Sequence, residues 1–158
     1  MSRGQTLLAA AVRIGAGLLL VAEGAGKLAG DFVHRGFASS AQQMARQSWP
    51  FWRSILHSAV IPHAVFFAWA VALGELAVGI GLTLGLLARA AALGGVFLMV
   101  VILLGQSYVP GSGWDRWVTA GLTTKFALLL FLLLFAADAG RAWGLDSRVK
   151  RVGRQRLR

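Results

Sequence analysis

A continuous apolar stretch from Pro62 to Gly95 constrains the fold of this chain more than any other feature, because it carries a single carboxylate, Glu75, near its middle. A bilayer core about 30 Å thick is crossed by roughly 20 apolar residues of helix, so the stretch is long enough to span a membrane. An ionisable side chain at that depth is energetically costly unless it faces protein or water. The sequence therefore predicts a membrane protein that protects a polar group.

The composition predicts one compact membrane domain over residues 1–140 and a basic tail over residues 141–158. Apolar residues make up 57% of the 158 residues, which leaves too little polar surface for a soluble globule. Much of the formal net charge of +10 lies in the tail. A basic cluster beyond a membrane helix is typical of a cytoplasmic flank near anionic lipid. Anionic lipids are therefore expected partners of the tail, and nucleic acid is not.

Four spans are predicted, at about 5–28, 62–88, 90–108 and 117–138, so the expected fold is all-α, an integral membrane four-helix transmembrane bundle. The N-terminus begins like a signal peptide, but Arg13 interrupts its apolar core, which favours a retained first span. Four spans place both termini on one side, and the basic tail predicts that this side is the cytoplasm.

The outer connection, about 34–61, has the pattern of two short amphipathic helices. Pro50 separates them and suits the first turn of the second helix, where its missing N–H is not needed. One interpretation is that these helices only cap the bundle, and the alternative is that they roof a lateral entrance from the lipid. The apolar residues that recur at helical spacing are Phe37, Ala41, Met44, Ala45 and Trp49, and then Phe51, Trp52, Ile55, Leu56, Ala59 and Val60.

Polar and small residues share one face of the first span. Arg13, Glu23 and Lys27 lie on this face, and Glu23 precedes Lys27 by four residues, the favourable order for an intrahelical ion pair. The structural alternative is an ion pair that only closes the outer end of the bundle.

The second span carries a stripe of small residues about 100° away from Glu75, and such stripes favour close helix contact in lipid. The fourth span places Lys125 close to the predicted depth of Glu75. We therefore predict that Glu75 and Lys125 form a buried pair. The stripe consists of Ala70, Gly74, Ala77, Gly81, Gly85 and Ala88.

The charges inside the predicted spans leave a small positive excess, which would suit an anionic or electron-rich guest. His63 stands at the entrance of the second span, where it would donate a hydrogen bond, shuttle a proton or simply face the interface. No metal is expected, because the histidines lack a metal-ligand spacing. The absence of cysteine from the sequence excludes a thiol–disulfide relay carried by this chain.

Several segments of the sequence carry a family resemblance: RIGAGLLLVAEGAGKL on the first span, WPFW and IPHAVFFAWAVALGELAVGIGLTLGLLARAAAL through the second, and AADAGRAWGLD at the end of the fourth. They resemble the DoxX family, and more closely its branch containing DoxD, the membrane subunit of thiosulfate:quinone oxidoreductase. The most specific pattern is GELxxGxGLxxGLLxR, which runs from Gly74 to Arg89.

This resemblance implies a small subunit of a quinone-linked redox complex in the cytoplasmic membrane of a bacterium or archaeon. Quinone is the expected ligand, no covalently bound cofactor is expected, and other integral membrane subunits are the expected partners. We predict quinone-binding residues at Glu23, Lys27, His63, Glu75 and Lys125, with Arg13 and Arg89 as structural polar residues. Whether the chain itself catalyses a reaction stays open.

Two other function classes remain open. One is a non-catalytic assembly subunit that docks to a larger membrane complex through its small-residue faces. The other is a transporter that uses Glu75 as a proton carrier, although four spans without paired broken helices argue against it.

Overall fold

The computed structural model describes residues 3–108, 111 and 113–137, and every regular element in these ranges is a helix. Two helices are long and apolar enough to cross a membrane, α1 and α4. The predicted basic tail at 141–158 lies outside the described residues. The helices are α1 (Arg3–Ala29), α2 (Phe37–Arg46), α3 (Pro50–Ile55), α4 (Ala64–Leu84), α5 (Ala88–Leu104), α6 (Trp114–Thr119) and α7 (Leu122–Ala136).

Helices α5 and α7 are apolar but shorter than α1 and α4. They contain 17 and 15 residues, which corresponds to about 26 and 23 Å at 1.5 Å per residue, against a hydrocarbon core of about 30 Å. The predicted spans 5–28 and 62–88 are therefore supported by helix length and composition. The assignment of α5 and α7 as two further spans stays a prediction.

The outside of the helices carries many large apolar side chains. Leu19 on α1 is 70% exposed, Phe66 on α4 is 69% exposed, and Phe97 on α5 is 67% exposed. Soluble monomers rarely expose extensive apolar surface to water. These side chains are suited to contact with lipid.

Helices α1 and α4 cross at glycines that leave no room for side chains. A Cβ atom added at Gly79 would lie 2.7 Å from the backbone nitrogen of Val21, and one added at Gly17 would lie 2.7 Å from that of Thr83. The predicted small-residue stripe of α4 lies elsewhere, since Gly81 faces Ala91 of α5. The close backbone contact between α1 and α4 therefore uses a different face of α4 from the small-residue stripe that was predicted.

Two helix boundaries differ from the prediction because the backbone turns left-handed. Helix α4 ends at Leu84, before Gly85 at φ 64° and Leu87 at φ 49°. In the predicted fourth span, Gly121 at φ 63° separates α6 from α7. The continuous apolar helix therefore begins at Leu122 instead of residue 117, because a left-handed residue cannot continue a right-handed helix.

Two short helices, α2 and α3, occupy the segment where the amphipathic pair was predicted, and we call the segment from Phe32 to Val60 the cap. Helix α3 begins at Pro50, as predicted. One π-helical turn, Phe32–Gly36, precedes α2, and a second, Leu56–Val60, follows α3. Their wider hydrogen bonds run from Gly36 N to Asp31 O at 3.0 Å and from Ile61 N to Leu56 O at 2.8 Å.

The cap is fixed against the segment that follows α5. The indole nitrogen of Trp49 donates to Ser107 Oγ at 3.1 Å, and the ring of Trp49 lies 4.9 Å from that of Tyr108. The backbone nitrogen of Tyr108 also donates to the carbonyl of Gln47 at 3.1 Å. These contacts hold the turn between α2 and α3 in place beside the bundle.

Candidate functional site

An ion pair between α1 and α4 forms the polar centre of the site. Lys27 Nζ lies 2.6 Å from Glu75 Oε1 and 2.5 Å from Glu75 Oε2, so the ammonium donates to both carboxylate oxygens. The Glu75 side chain is 4% exposed and that of Lys27 is 22% exposed. The carboxylate in the long apolar stretch is thus neutralised inside the protein, as its depth requires.

The antiparallel arrangement of α1 and α4 explains why these two residues meet. Gly17 contacts Gly79 while Gly24 contacts Ala72, so α1 and α4 run in opposite directions. Helical side chains lean toward the N-terminus of their own helix. Lys27 and Glu75 therefore lean toward each other, although their backbones lie at different depths.

Two further groups surround the ammonium of Lys27. Glu23 Oε2 lies 3.8 Å away on the preceding turn of α1, which confirms the predicted intrahelical pair. The ring of Phe32 lies with its centroid 5.5 Å from Nζ, within the range of a cation–π contact. The Glu23 side chain is 68% exposed, so Glu75 is the main buried partner.

The ion pair lines a cavity of about 450 Å³ that is otherwise almost entirely apolar. The cap covers it on one side, and α4 and α5 form the other walls. Phe97 lines the cavity and is 67% exposed, so the cavity reaches the outer apolar surface at this residue. Other wall residues are Phe37, Met44, Trp52 and Leu56 from the cap, Phe67 and Val71 from α4, and Leu98, Val101 and Ile102 from α5.

Two of the predicted site residues lie away from this cavity. His63 is exposed at the start of α4, about 18 Å along the helix from Glu75. Lys125 Nζ donates to the carbonyl of Val118 at 3.1 Å. The predicted pairing of Glu75 with Lys125 is wrong, because the ammonium that binds Glu75 belongs to Lys27.

The two residues predicted to be structural differ in their surroundings. Arg13 is fully buried on the face of α1 that also carries Gly17 and Lys27. The guanidinium of Arg89 is exposed and lies 4.8 Å from the centroid of the Phe135 ring, so it links the start of α5 to α7. Neither residue lines the cavity.

Sequence reasoning missed the apolar walls of the site. The helical spacing of Phe37, Met44 and Trp52 identified one face of the cap, but this pattern does not say whether such a face packs tightly or encloses a space. Leu98 and Val101 lie in the part of α5 that is apolar on all sides, where periodicity carries no signal. Only the three-dimensional arrangement identifies them as wall residues.

Among the residues that the structure describes, no group of three or more His, Cys, Asp or Glu side chains is placed to hold a metal ion. The polar groups at the described cavity are the Lys27–Glu75 pair with the flanking carboxylate of Glu23, the hydroxyl of Ser40 and the buried indole nitrogen of Trp52.

Comparison with known proteins gives one match. The family model DoxX matches residues 8–106, more than half of the chain, and this range includes most of α1, all of α2 to α5 and the cap. Comparisons with curated proteins and with solved structures gave no significant match.

Proposed function

Because the chain belongs to the DoxX family, we propose that it binds a membrane quinone as a small integral subunit of a redox complex. Membership of this family indicates a membrane protein linked to redox or quinone-related activity. The observation that carries this proposal is the Lys27–Glu75 pair in the wall of an apolar cavity beneath the cap.

The cavity has the properties that a quinone headgroup requires. Its volume of about 450 Å³ lies within the usual range of small-molecule sites, about 300–1,000 Å³. Aromatic and aliphatic side chains surround a small number of polar groups, an arrangement that fits a flat ring with two carbonyl oxygens. The opening beside Phe97 gives an apolar tail a route toward lipid.

Lys27 is the donor that suits a quinone carbonyl. An ammonium has three N–H donors, and Glu75 accepts from two of them. The third is able to reach a ligand oxygen without loss of the ion pair. Glu75 then has a positioning role, because it fixes the ammonium at the cavity wall.

We extend the proposal to the whole assembly. The chain forms four spans, with α5 and α7 as the third and fourth, and both termini lie in the cytoplasm of a bacterial or archaeal cell. It belongs to the DoxD-like branch, and other integral membrane subunits surround it. The apolar outer surfaces of α1, α4, α5 and α7 support the assignment of four spans.

The test is retention of quinone by the purified protein and its complex. Lys27→Met removes the proposed donor, and Lys125→Met makes the same chemical change at a lysine outside the cavity. We expect Lys27→Met to lower the quinone content measured by extraction and chromatography, and Lys125→Met to leave it unchanged.

A second variant separates ligand binding from stability. Val71→Phe adds volume to the cavity wall and retains Lys27 and Glu75. Its quinone content should also fall while the protein stays folded by circular dichroism. Quinone binding would be refuted, and a scaffold role favoured, if the wild-type protein carries no quinone and the complex turns over normally after Lys27→Met and after Val71→Phe.

The second candidate function is a non-catalytic assembly subunit. Gly15 and Gly26 of α1 have no neighbouring atoms within 4 Å of an added Cβ, so this helix presents glycines that are free of contact within the described chain. Outward glycines allow another membrane helix to approach closely. Loss of co-purifying subunits after Gly26→Leu, without loss of quinone, would favour this role.

A further inference from the structure

The cap carries a second concave surface that shares no lining residue with the cavity beneath it. This groove has a volume of about 620 Å³ and is formed by α2, α3 and the π-helical turn after α3. Its polar side chains are Gln42, Arg46, Arg53 and His57. The proposed quinone site uses none of these four residues.

The charge of the groove is not balanced by acidic residues nearby in the sequence. No carboxylate occurs between Asp31 and Glu75, and Glu75 is bound by Lys27. Asp31 lies 4.0 Å from Arg35, outside the groove. The positive charge of the cap is therefore concentrated where two arginines line one concave surface.

The groove side chains are arranged by helix geometry. Gln42 and Arg46 are four residues apart on α2, and Arg53 and His57 are four residues apart on the facing segment, so each pair shares a helix face. All four can donate hydrogen bonds to an anion, although His57 does so only through an N–H of its ring.

Arg53 is held in a fixed orientation at the groove. Its Nε donates to the carbonyl of Ala45 at 2.8 Å, and its Nη2 lies 3.4 Å from the carbonyl of Ser48. No described residue accepts a hydrogen bond from Nη1. A guanidinium whose orientation is already fixed loses less conformational freedom when it binds an oxyanion.

We propose that this groove binds a phosphate group, carried either by an anionic phospholipid or by free phosphate. Arginine donors in a fork match the oxygens of phosphate, and charge-assisted hydrogen bonds of this kind are the stronger ones. Gln42 and His57 supply further N–H donors in the groove. This site is independent of quinone binding.

The experiment uses the full chain in a neutral detergent. The sequence contains no cysteine, so Ser54→Cys places a single environment-sensitive fluorophore next to Arg53 in the chain. The labelled protein is titrated with inorganic phosphate, dihexanoyl phosphatidylglycerol and, for comparison, zwitterionic dihexanoyl phosphatidylcholine. Arg46→Gln is the test variant, and Arg35→Gln is the matched control on the same cap.

We expect saturable binding that Arg46→Gln weakens about tenfold, the effect of losing one charge-assisted hydrogen bond, while Arg35→Gln leaves it unchanged. Gln42→Ala provides a milder second variant in the groove. Binding of phosphatidylglycerol without inorganic phosphate identifies a lipid headgroup site, and binding of both identifies a site for phosphate itself. Absence of saturable binding, or equal weakening by Arg46→Gln and Arg35→Gln, would overturn the proposal.

Discussion

Substitutions at the two members of the Lys27–Glu75 pair should lower the stability of the bundle by different amounts. Glu75→Gln leaves an ammonium that is 22% exposed and still has Glu23 at 3.8 Å. Lys27→Met leaves a carboxylate that is 4% exposed and has lost the cation bound to both its oxygens. The lysine variant should therefore be the less stable of the two.

The magnitudes follow from the burial of the pair. Breaking a buried pair from one side costs about 3–5 kcal/mol in soluble proteins, and coupling energies measured in membrane bundles reach about 1.7 kcal/mol. We expect a loss of about 3 kcal/mol in the free energy of unfolding for Lys27→Met and about 1–2 kcal/mol for Glu75→Gln. The double variant should recover about 1.5 kcal/mol of the summed loss.

The assay is equilibrium unfolding in mixed micelles with increasing SDS, followed by tryptophan fluorescence and circular dichroism. The double-mutant cycle isolates the interaction between the two side chains. Lys125→Met is the control for removal of a lysine. Strictly additive losses would show that the two side chains do not interact. A larger loss for Glu75→Gln than for Lys27→Met would refute the reasoning from burial and from Glu23 as the second partner of Lys27.

Two more predictions concern packing and topology. Gly79→Ala should destabilise the bundle by about 2 kcal/mol or more, because the new Cβ would lie 2.7 Å from Val21 N. Gly26→Ala has open space around it and should be neutral or stabilising by up to about 1 kcal/mol. Equal effects of the two changes in SDS unfolding would contradict the close α1–α4 crossing. A single cysteine at Ser40 should react with an impermeant reagent in intact cells and one at Ser147 should not; labelling of Ser147 alone, or of both, would reverse or refute the proposed topology.

The cap could be predicted from the sequence because local signals determine it. Helical spacing of apolar residues and the position of Pro50 identified both α2 and α3. The ion pair between Glu23 and Lys27 was likewise predictable, since residues four apart on a helix are neighbours. The two π-helical turns were not predicted, because an extra residue in one turn leaves no mark in a short apolar pattern.

The partner of Glu75 could not be found by comparing depths along the spans. Lys125 was chosen because its backbone was expected at a similar depth, but long side chains on antiparallel helices meet across a depth difference. The break at Gly121 further changes the start of the helix that carries Lys125. The cavity walls on α5 were unpredictable for another reason, since that helix is apolar on all sides after Arg89 in its first turn.

The π-helical turns at Phe32–Gly36 and Leu56–Val60 set the rotation of the cap helices relative to the long helices. One residue of an α-helix corresponds to a rotation of about 100°, so the residue that each turn accommodates decides which way the next helix faces. Deleting one residue from the first turn would rotate α2 and carry Met44 away from the bundle. The shape of the cavity beneath the cap thus depends on the number of residues in the two π-helical turns as much as on which residues they are.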